Sequence, residues 1–243
     1  MKNILYIAVM VCIVVTGCAH SVTPSSTSVI NAQIKNSSGS TILAGHCSLS
    51  IFGEEPYKEW FDKSYNSYTL DTSAIHILQS HLQGKTIEVF LGSWCGDSKR
   101  EVPRLVKILQ AASFDTVKLR LIFVDNSLAK YKQSPQHEEA GKTIHHVPTI
   151  IVYGNGREEG RIIETPVVSL EKDLLSIVTN KRYSPNYTDV AWWMRKVKKR
   201  GELLNGAAID AISNKIKPLC TSTRDFNAYG YVMLAQKNYN EAL

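Results

Sequence analysis

The order of apolar patterns between Thr86 and Val178 constrains the fold of this chain more than any other feature. Short β-branched runs alternate with longer stretches whose apolar residues recur at helical spacing. Gly154-Asn155-Gly156 lies between two of the runs, and Asn-Gly tolerates the positive φ angles of a tight hairpin. The patterns predict an α/β domain, a mixed sheet flanked by helices, with strands at 86–91, 117–124, 149–153 and 159–164, helices at 98–112 and 168–178, and a looser stretch at 125–142.

A short motif lies between the first of these strands and the first helix. It reads Gly92-Ser93-Trp94-Cys95-Gly96-Asp97-Ser98 and resembles the active-site turn of thioredoxins, in which Trp precedes Cys-x-x-Cys. Pro103 matches the proline that kinks the following helix in that family, and Val147-Pro148-Thr149 resembles its cis proline. The resemblance implies a thioredoxin-like fold with the order β-α-β-α-β-β-α, and a role in reducing, oxidising or isomerising disulfides.

Cys95 stands at the first turn of the predicted helix. A thiol there faces unpaired backbone N–H groups and the positive end of the helix dipole, which favours the thiolate, the nucleophile of disulfide exchange. His146 lies two residues before Pro148, so if that proline packs on the turn as in the family, a protonated His146 would stabilise the thiolate; the alternative is a partly exposed loop residue. We predict that Cys95, Trp94, Pro148 and His146 form the catalytic site.

The motif also departs from the family pattern. Ser98 stands where thioredoxins carry the second Cys, so no disulfide can close within the motif. Val89 stands where the family has a buried Asp that accepts the proton of that Cys, and the two losses agree with each other. We expect Gly96, Asp97 and Ser98 to complete the turn, with Asp97 and Ser98 capping the helix.

The N-terminal segment predicts export. Lys2 precedes an apolar stretch from Ile4 to Val15, which is short for a span needing about 20 residues. Val15-Thr16-Gly17-Cys18 resembles the bacterial lipobox, so we predict a lipid on Cys18 and a protein anchored to the periplasmic face of a bacterial membrane. Ala19 after the cysteine resembles the outer-membrane sorting pattern. The alternatives are an ordinary signal peptide cut near Ala19 and an uncleaved anchor.

The chain has five cysteines, and the predicted export gives two of them a role outside the folded domain. Cys12 falls in the discarded peptide and Cys18 takes the lipid. An exported compartment permits disulfides, so Cys47 and Cys220 are either a structural pair or thiols that resolve a disulfide at Cys95. The sequence leaves both options open.

Composition divides the rest of the chain. Ser, Thr and Asn dominate after Cys18, which predicts a polar tether, and an aromatic cluster with a short helix follows it. The C-terminal stretch from Tyr229 to Ala242 resembles part of a tetratricopeptide repeat, with a plain helical hairpin as the alternative. The predicted organisation is a signal peptide at 1–17, the tether at 18–41, an N-terminal extension at 42–85, the thioredoxin-like domain at 86–180 and a helical region at 181–243.

Charge and motif together limit the function classes. The net charge of +6 comes without a long basic run or interleaved aromatic residues, so we expect no nucleic-acid partner. Three hypotheses remain. The first is thiol–disulfide exchange through the single Cys95, on protein thiols or disulfides. The second is a redox-inactive scaffold that binds a protein partner through the turn, the Pro148 groove and the helical tail, and the third is an iron–sulfur site that resembles the monothiol glutaredoxin kind. We favour exchange and expect no metal and no cofactor, because a cluster needs further thiolates.

Overall fold

The structure, a computed structural model, describes residues 30–187, residue 214 and residues 224–237. A six-stranded mixed sheet runs through it in the order β1-β2-β4-β3-β5-β6. The two central strands β3 and β4 are parallel, and every other neighbouring pair is antiparallel. The strands are β1 (Ala32–Lys35), β2 (Thr41–Cys47), β3 (Thr86–Leu91), β4 (Leu119–Phe123), β5 (Thr149–Gly154) and β6 (Arg157–Ile163).

Helices cover one face of this sheet. Successive strand residues point to opposite faces, and on the helical face they join the larger hydrophobic cluster, which includes Val89, Leu121 and Val152. The other face carries a smaller cluster around Phe90 and Ile151. The helices are α1 (Tyr57–Ser67), α2 (Thr72–His81), α3 (Gly96–Ala111), α4 (Leu170–Val178) and α5 (Arg224–Ala235), of which the first four contribute to the larger cluster.

The predicted α/β fold is confirmed. Strands and helices occur within a few residues of each predicted position between Thr86 and Val178. The hairpin between β5 and β6 turns on Asn155 and Gly156, with φ values of 51° and 73°. One helix of the thioredoxin order is missing from the stretch between β4 and β5, where the structure has only a 3₁₀ turn at Leu128–Lys130.

The folded part begins earlier than the composition predicted. Strand β1 lies within the stretch assigned to a tether, so that assignment is wrong for its last ten residues. Four residues are enough here because β1 pairs with β2, which in turn pairs with β4 and extends the sheet. The extension at 42–85 therefore supplies a sheet strand and two helices rather than the single helix we predicted.

The predicted boundary at residue 180 also needs correction. Residues 181–187 were assigned to a helical region, but they form no helix and pack on the domain. Tyr183 donates a hydrogen bond to the buried Asp173 at 2.9 Å, and Tyr187 donates one to Glu164 at 2.5 Å. Most of the remaining tail lies outside the described residues, and α5 is its described helix.

Candidate active site

The Cys95 turn forms as the motif predicted. Cys95 is the N-cap residue of α3, and its backbone carbonyl accepts a hydrogen bond from the N–H of Lys99 at 3.0 Å. The indole of Trp94 folds back over Gly92 and donates a hydrogen bond to the carbonyl of Val124 at 2.9 Å. A Cβ on Gly92 would lie 2.5 Å from the indole ring, so only glycine leaves room for Trp94 in this position.

The predicted proline lies against this turn. The Val147–Pro148 peptide bond is cis, as the family resemblance implied. The Cys95 thiol donates a hydrogen bond to the carbonyl of Val147 over 3.2 Å. Cys95 and Trp94 thus lie beside the start of β5, on the face of the sheet that carries the smaller hydrophobic cluster.

A cavity of about 290 Å³ opens beside the thiol. Five parts of the chain form its walls: the turn before α3, the loop between β4 and β5, the residue after β6, the segment after α4, and α5. Its lining includes His146, so that the imidazole and the Cys95 thiol share one cavity. The residues that line it are Trp94, Cys95, Tyr131, Lys132, His146, Val147, Glu164, Tyr187, Asn227, Ala228 and Tyr231.

His146 is held by two residues that the sequence did not indicate. Its Nδ1 lies 3.3 Å from Oε1 of Glu164, the residue directly after β6. The imidazole stacks on the ring of Tyr187 with 4.0 Å between centroids, and the Tyr187 hydroxyl donates to Oε2 of the same carboxylate. Burial alone would raise the pKa of Glu164, but the hydrogen bonds from His146 and Tyr187 and the nearby positive charges outweigh it and lower the pKa to about 2.

Lys132 is the second unexpected group. It lies in the loop between β4 and β5 with 4% of its surface exposed, and its ammonium donates to the carbonyl of His145. Burial lowers its pKa to about 8, while the charges of Cys95 and Glu164 act in the opposite direction. The side chain is therefore positive at neutral pH and lines the same cavity as the thiol.

The two polar motif residues do not cap the helix, and that prediction is wrong. No side chain caps the backbone at Cys95. Ser98 is buried and instead accepts a hydrogen bond from the N–H of Gly92 at 3.2 Å, while Asp97 pairs with Arg100 at 2.7 Å. Ser98 thus fastens the first turn of α3 to the end of β3, while Gly96 is exposed at the start of the helix.

Cys47 is not brought to Cys95. Its side chain belongs to the larger cluster on the helical face of the sheet, whereas Cys95 packs against the smaller cluster on the other face. Burial raises the pKa of the Cys47 thiol to about 12, which makes it a poor nucleophile. Cys18 and Cys220 lie outside the described residues.

Neither a metal cluster nor a membrane span occurs in the described part. Over residues 30–187 and 224–237, no group of three or more His, Cys, Asp or Glu residues could hold a metal ion. Within the same ranges, no helix combines the length and the apolar character needed to cross a bilayer.

Comparison with known proteins identifies the domain. A family sequence model described as thioredoxin matches residues 51–171. These residues form a thioredoxin-like domain. The match begins inside the stretch that we assigned to an extension, which agrees with the packing of α1 and α2 into the common core.

One solved structure is similar in sequence to this chain. It is the oxidized form of mitochondrial thioredoxin 3 from Saccharomyces cerevisiae, 26% identical over 41% of this chain and 86% of that one, with a TM-score of 0.25. No curated protein sequence matches the chain.

Lys132, Glu164 and Tyr187 are the site residues that the sequence did not predict. A lysine in a polar loop is usually exposed, so nothing marked Lys132 as buried. Tyr187 lies beyond the predicted end of the domain. Glu164 lies directly after β6, and the sequence does not reveal the strand register that brings it to Pro148.

Proposed function

We propose that this protein catalyses thiol–disulfide exchange through the single cysteine Cys95, with protein thiols or disulfides as substrates. The observation that supports the proposal most directly is the shared cavity of the Cys95 thiol, Lys132 and His146. Disulfide exchange needs a thiolate that an incoming disulfide can reach. A buried ammonium and a helix N-terminus beside the sulfur both favour that thiolate.

The single thiol fixes the order of steps. The Cys95 thiolate attacks one sulfur of a substrate disulfide, forms a mixed disulfide and releases the other sulfur as a thiolate. Ser98 cannot resolve this intermediate, and Cys47 lies on the far side of the sheet. The resolving thiol therefore comes from a second substrate molecule or from Cys220.

A second candidate function is binding without turnover. Two observations favour it: the Cys95 thiol already donates its hydrogen to the carbonyl of Val147, and α5 forms one wall of the cavity. In this alternative, the turn, the Pro148 groove and the helical tail hold a protein partner. The two candidates differ in whether Cys95 exchanges.

The first experiment measures exchange of the purified protein with an aromatic model disulfide. We expect the wild type to form a mixed disulfide at Cys95 and to turn over when a small thiol is added. Cys95→Ser should abolish this activity, and Ser98→Cys should let the protein release both halves of one model disulfide without added thiol, leaving an internal disulfide that the small thiol must reduce before the next turnover. Exchange that persists in Cys95→Ser would show that the site is wrongly assigned, and a wild type that is inert would favour the binding function.

The proposed location is the periplasmic face of a bacterial membrane, through a lipid on Cys18. The lipobox-like residues before Cys18 and the apolar stretch preceding them support it. Protein disulfides are common in such exported compartments, which agrees with the proposed substrates.

A further inference from the structure

We propose that Glu164 and Tyr187 hold His146 as the proton acceptor for the thiol of Cys95, so that the cavity contains a proton-transfer site as well as a nucleophile. The inference rests on the proposed exchange function and identifies the groups that take up and return its proton. In this arrangement His146 is the catalytic base, and Glu164 and Tyr187 are positioning residues.

The carboxylate of Glu164 determines which ring nitrogen of His146 carries the hydrogen. Glu164 stays ionised across the whole neutral range, so its oxygens can only accept hydrogen bonds. Its Oε1 faces Nδ1 of His146 at 3.3 Å, and that nitrogen must therefore be the donor. In the neutral ring this leaves Nε2 as an unprotonated acceptor.

The geometry of the pair is fixed from several sides. The backbone N–H of Glu164 donates to the carbonyl of Pro148 at 2.7 Å, and its φ of 62° lies in the left-handed region, where non-glycine residues are uncommon. The Tyr187 hydroxyl donates to Oε2, and the Tyr187 ring lies nearly parallel to the imidazole, at 15°. Ring rotation of His146 is therefore restricted by both contacts.

In the described part of the chain, this arrangement leaves Nε2 of His146 as a free hydrogen-bond acceptor. His146 is 8% exposed, and among the described residues Nε2 has no hydrogen-bond partner. An unsatisfied buried nitrogen is unfavourable, and such exceptions often mark a functional group. The cavity that His146 lines also contains Cys95, whose sulfur is hydrogen-bonded to the carbonyl of Val147, the next residue in the chain.

The neighbouring charges act on this pair in opposite directions. Glu164 stabilises an imidazolium at His146, whereas the positive Lys132 opposes it and stabilises the thiolate instead. His145, whose ring centroid is 5.0 Å away, stays neutral because burial lowers its pKa to about 4. The titratable groups around His146 and the cavity are Cys95, Tyr131, Lys132, His145, Glu164, Tyr187, Tyr229 and Tyr231.

The proton balance of one exchange follows directly. Nε2 takes the proton from the Cys95 thiol, directly or through one water, and the resulting thiolate attacks a disulfide RS–SR′. The Cys95–SR bond forms, the RS–SR′ bond breaks, and the leaving R′S⁻ takes the proton from Nε2. A second thiol R″SH then gives its proton to Nε2 and attacks the mixed disulfide; the RS–SR″ bond forms, the Cys95–SR bond breaks, and the Cys95 thiolate takes the proton back from Nε2, so His146 ends each half-reaction neutral.

The test is the pH profile of Cys95 alkylation by iodoacetamide, read for each cysteine by mass spectrometry in the full chain. Glu164→Gln should lower the rate about ten-fold at about pH 6.5, where a free thiol is almost wholly protonated and needs a base. At about pH 9.5 an ordinary free thiol is ionised without help from a base, so the rate should stay within about two-fold of wild type. Glu159→Gln, which changes a carboxylate of β6 away from the cavity, should match wild type throughout.

A double-mutant cycle separates the positioning role from a structural one. In a His146→Gln background, Glu164→Gln should add no further loss at low pH, because both act through one proton acceptor. If Glu164→Gln does not fold, Tyr187→Phe retains the stacked ring, removes only the hydroxyl and should change the profile in the same direction. A Glu164→Gln profile that is unchanged, or lowered equally at every pH, would overturn the proton-transfer site. Exchange with the model disulfide by the wild type would still support the proposed function in that case.

Discussion

At the scale of single residues, the cavity combines groups that the motif predicted with groups that it did not. Trp94, Cys95 and Pro148 form the turn and the cis-proline contact that the resemblance to thioredoxins implied, because turn and proline positions are encoded locally. Burial of a lysine depends on how a long loop packs, and no local pattern encodes that.

Lys132 should make the cavity selective for anionic reagents. With its pKa lowered to about 8, the side chain is positive below that pH and loses its charge as the pH rises through it. The rate of Cys95 alkylation by iodoacetate, divided by the rate with neutral iodoacetamide, should therefore be about three- to ten-fold higher near pH 7 than it is without the lysine charge, and this increase should disappear above about pH 8. The ratio of the two rates removes the ionisation of Cys95 itself from the comparison.

Lys132→Met is expected to give a low ratio that does not change with pH between about 7 and 9. The exposed Lys130, two residues earlier, provides the matched control, and Lys130→Met should retain the wild-type ratio. A wild-type ratio that is already flat would show that the ammonium does not act on reagents at Cys95.

Glu164 reaches the site because the pairing of β5 with β6 is shifted by one residue. A hairpin with a two-residue turn at Asn155 and Gly156 would place Ile163 opposite Pro148. The irregularity between Val152 and Tyr153 shifts the pairing by one, so that Glu164 reaches Pro148 instead. A bulge of this kind inverts which side chains face a site, and the sequence pattern does not reveal it.

At the scale of elements, the extension before β3 helps to build the site. Strand β2 pairs with β4, and the N–H of Leu43 donates to Ser93 Oγ at 3.0 Å, directly beside Trp94. The sequence predicted a helix and an aromatic cluster in this region but no strand, because an apolar run of seven residues interrupted by Gly45 has no clear alternation. Gly45 has a φ of 78°, which other residues rarely adopt.

Helix α5 forms one wall of the cavity beside Cys95. Its inner face buries Tyr229, Val232 and Met233, and the ring of Tyr231 lies edge-on to Tyr131 with 6.1 Å between centroids. The resemblance to a tetratricopeptide repeat stays a prediction, because a single helix fits a plain helical hairpin equally well and residues 238–243 lie outside the described residues.

Loosening α5 should therefore favour bulky reagents. Val232→Asp places a carboxylate at a position that is 2% exposed, and burying an unpaired charge disfavours the packed helix. We expect a polyethylene-glycol maleimide to label Cys95 about ten-fold faster relative to iodoacetamide in this variant.

Leu234→Asp changes a residue of the same helix that is 43% exposed and should leave the labelling ratio unchanged. Equal effects of the two substitutions would indicate a general loss of stability, and no effect of either would show that α5 does not limit access.

At the scale of the whole molecule, export and anchoring remain proposals that a fractionation experiment can test. Cys18→Ala should move the protein from the membrane fraction to the soluble fraction or leave it with an uncleaved signal peptide, because the lipid attaches to that sulfur. Cys12→Ala, in the same segment, should behave as wild type. Unchanged fractionation and processed mass of Cys18→Ala would contradict the lipid anchor.

The described domain has no second thiol next to Cys95, because Ser98 replaces one and Cys47 lies on the other face of the sheet. This determines what the domain can retain after a reaction. A dithiol site keeps an internal disulfide after its partner leaves and so carries a record of the encounter. Where a second molecule supplies the resolving thiol, exchange at Cys95 leaves the domain oxidised only while another molecule is attached to it. Occupancy and oxidation state then change together, so the mass of the domain reports both, and both return to their starting values when the partner leaves.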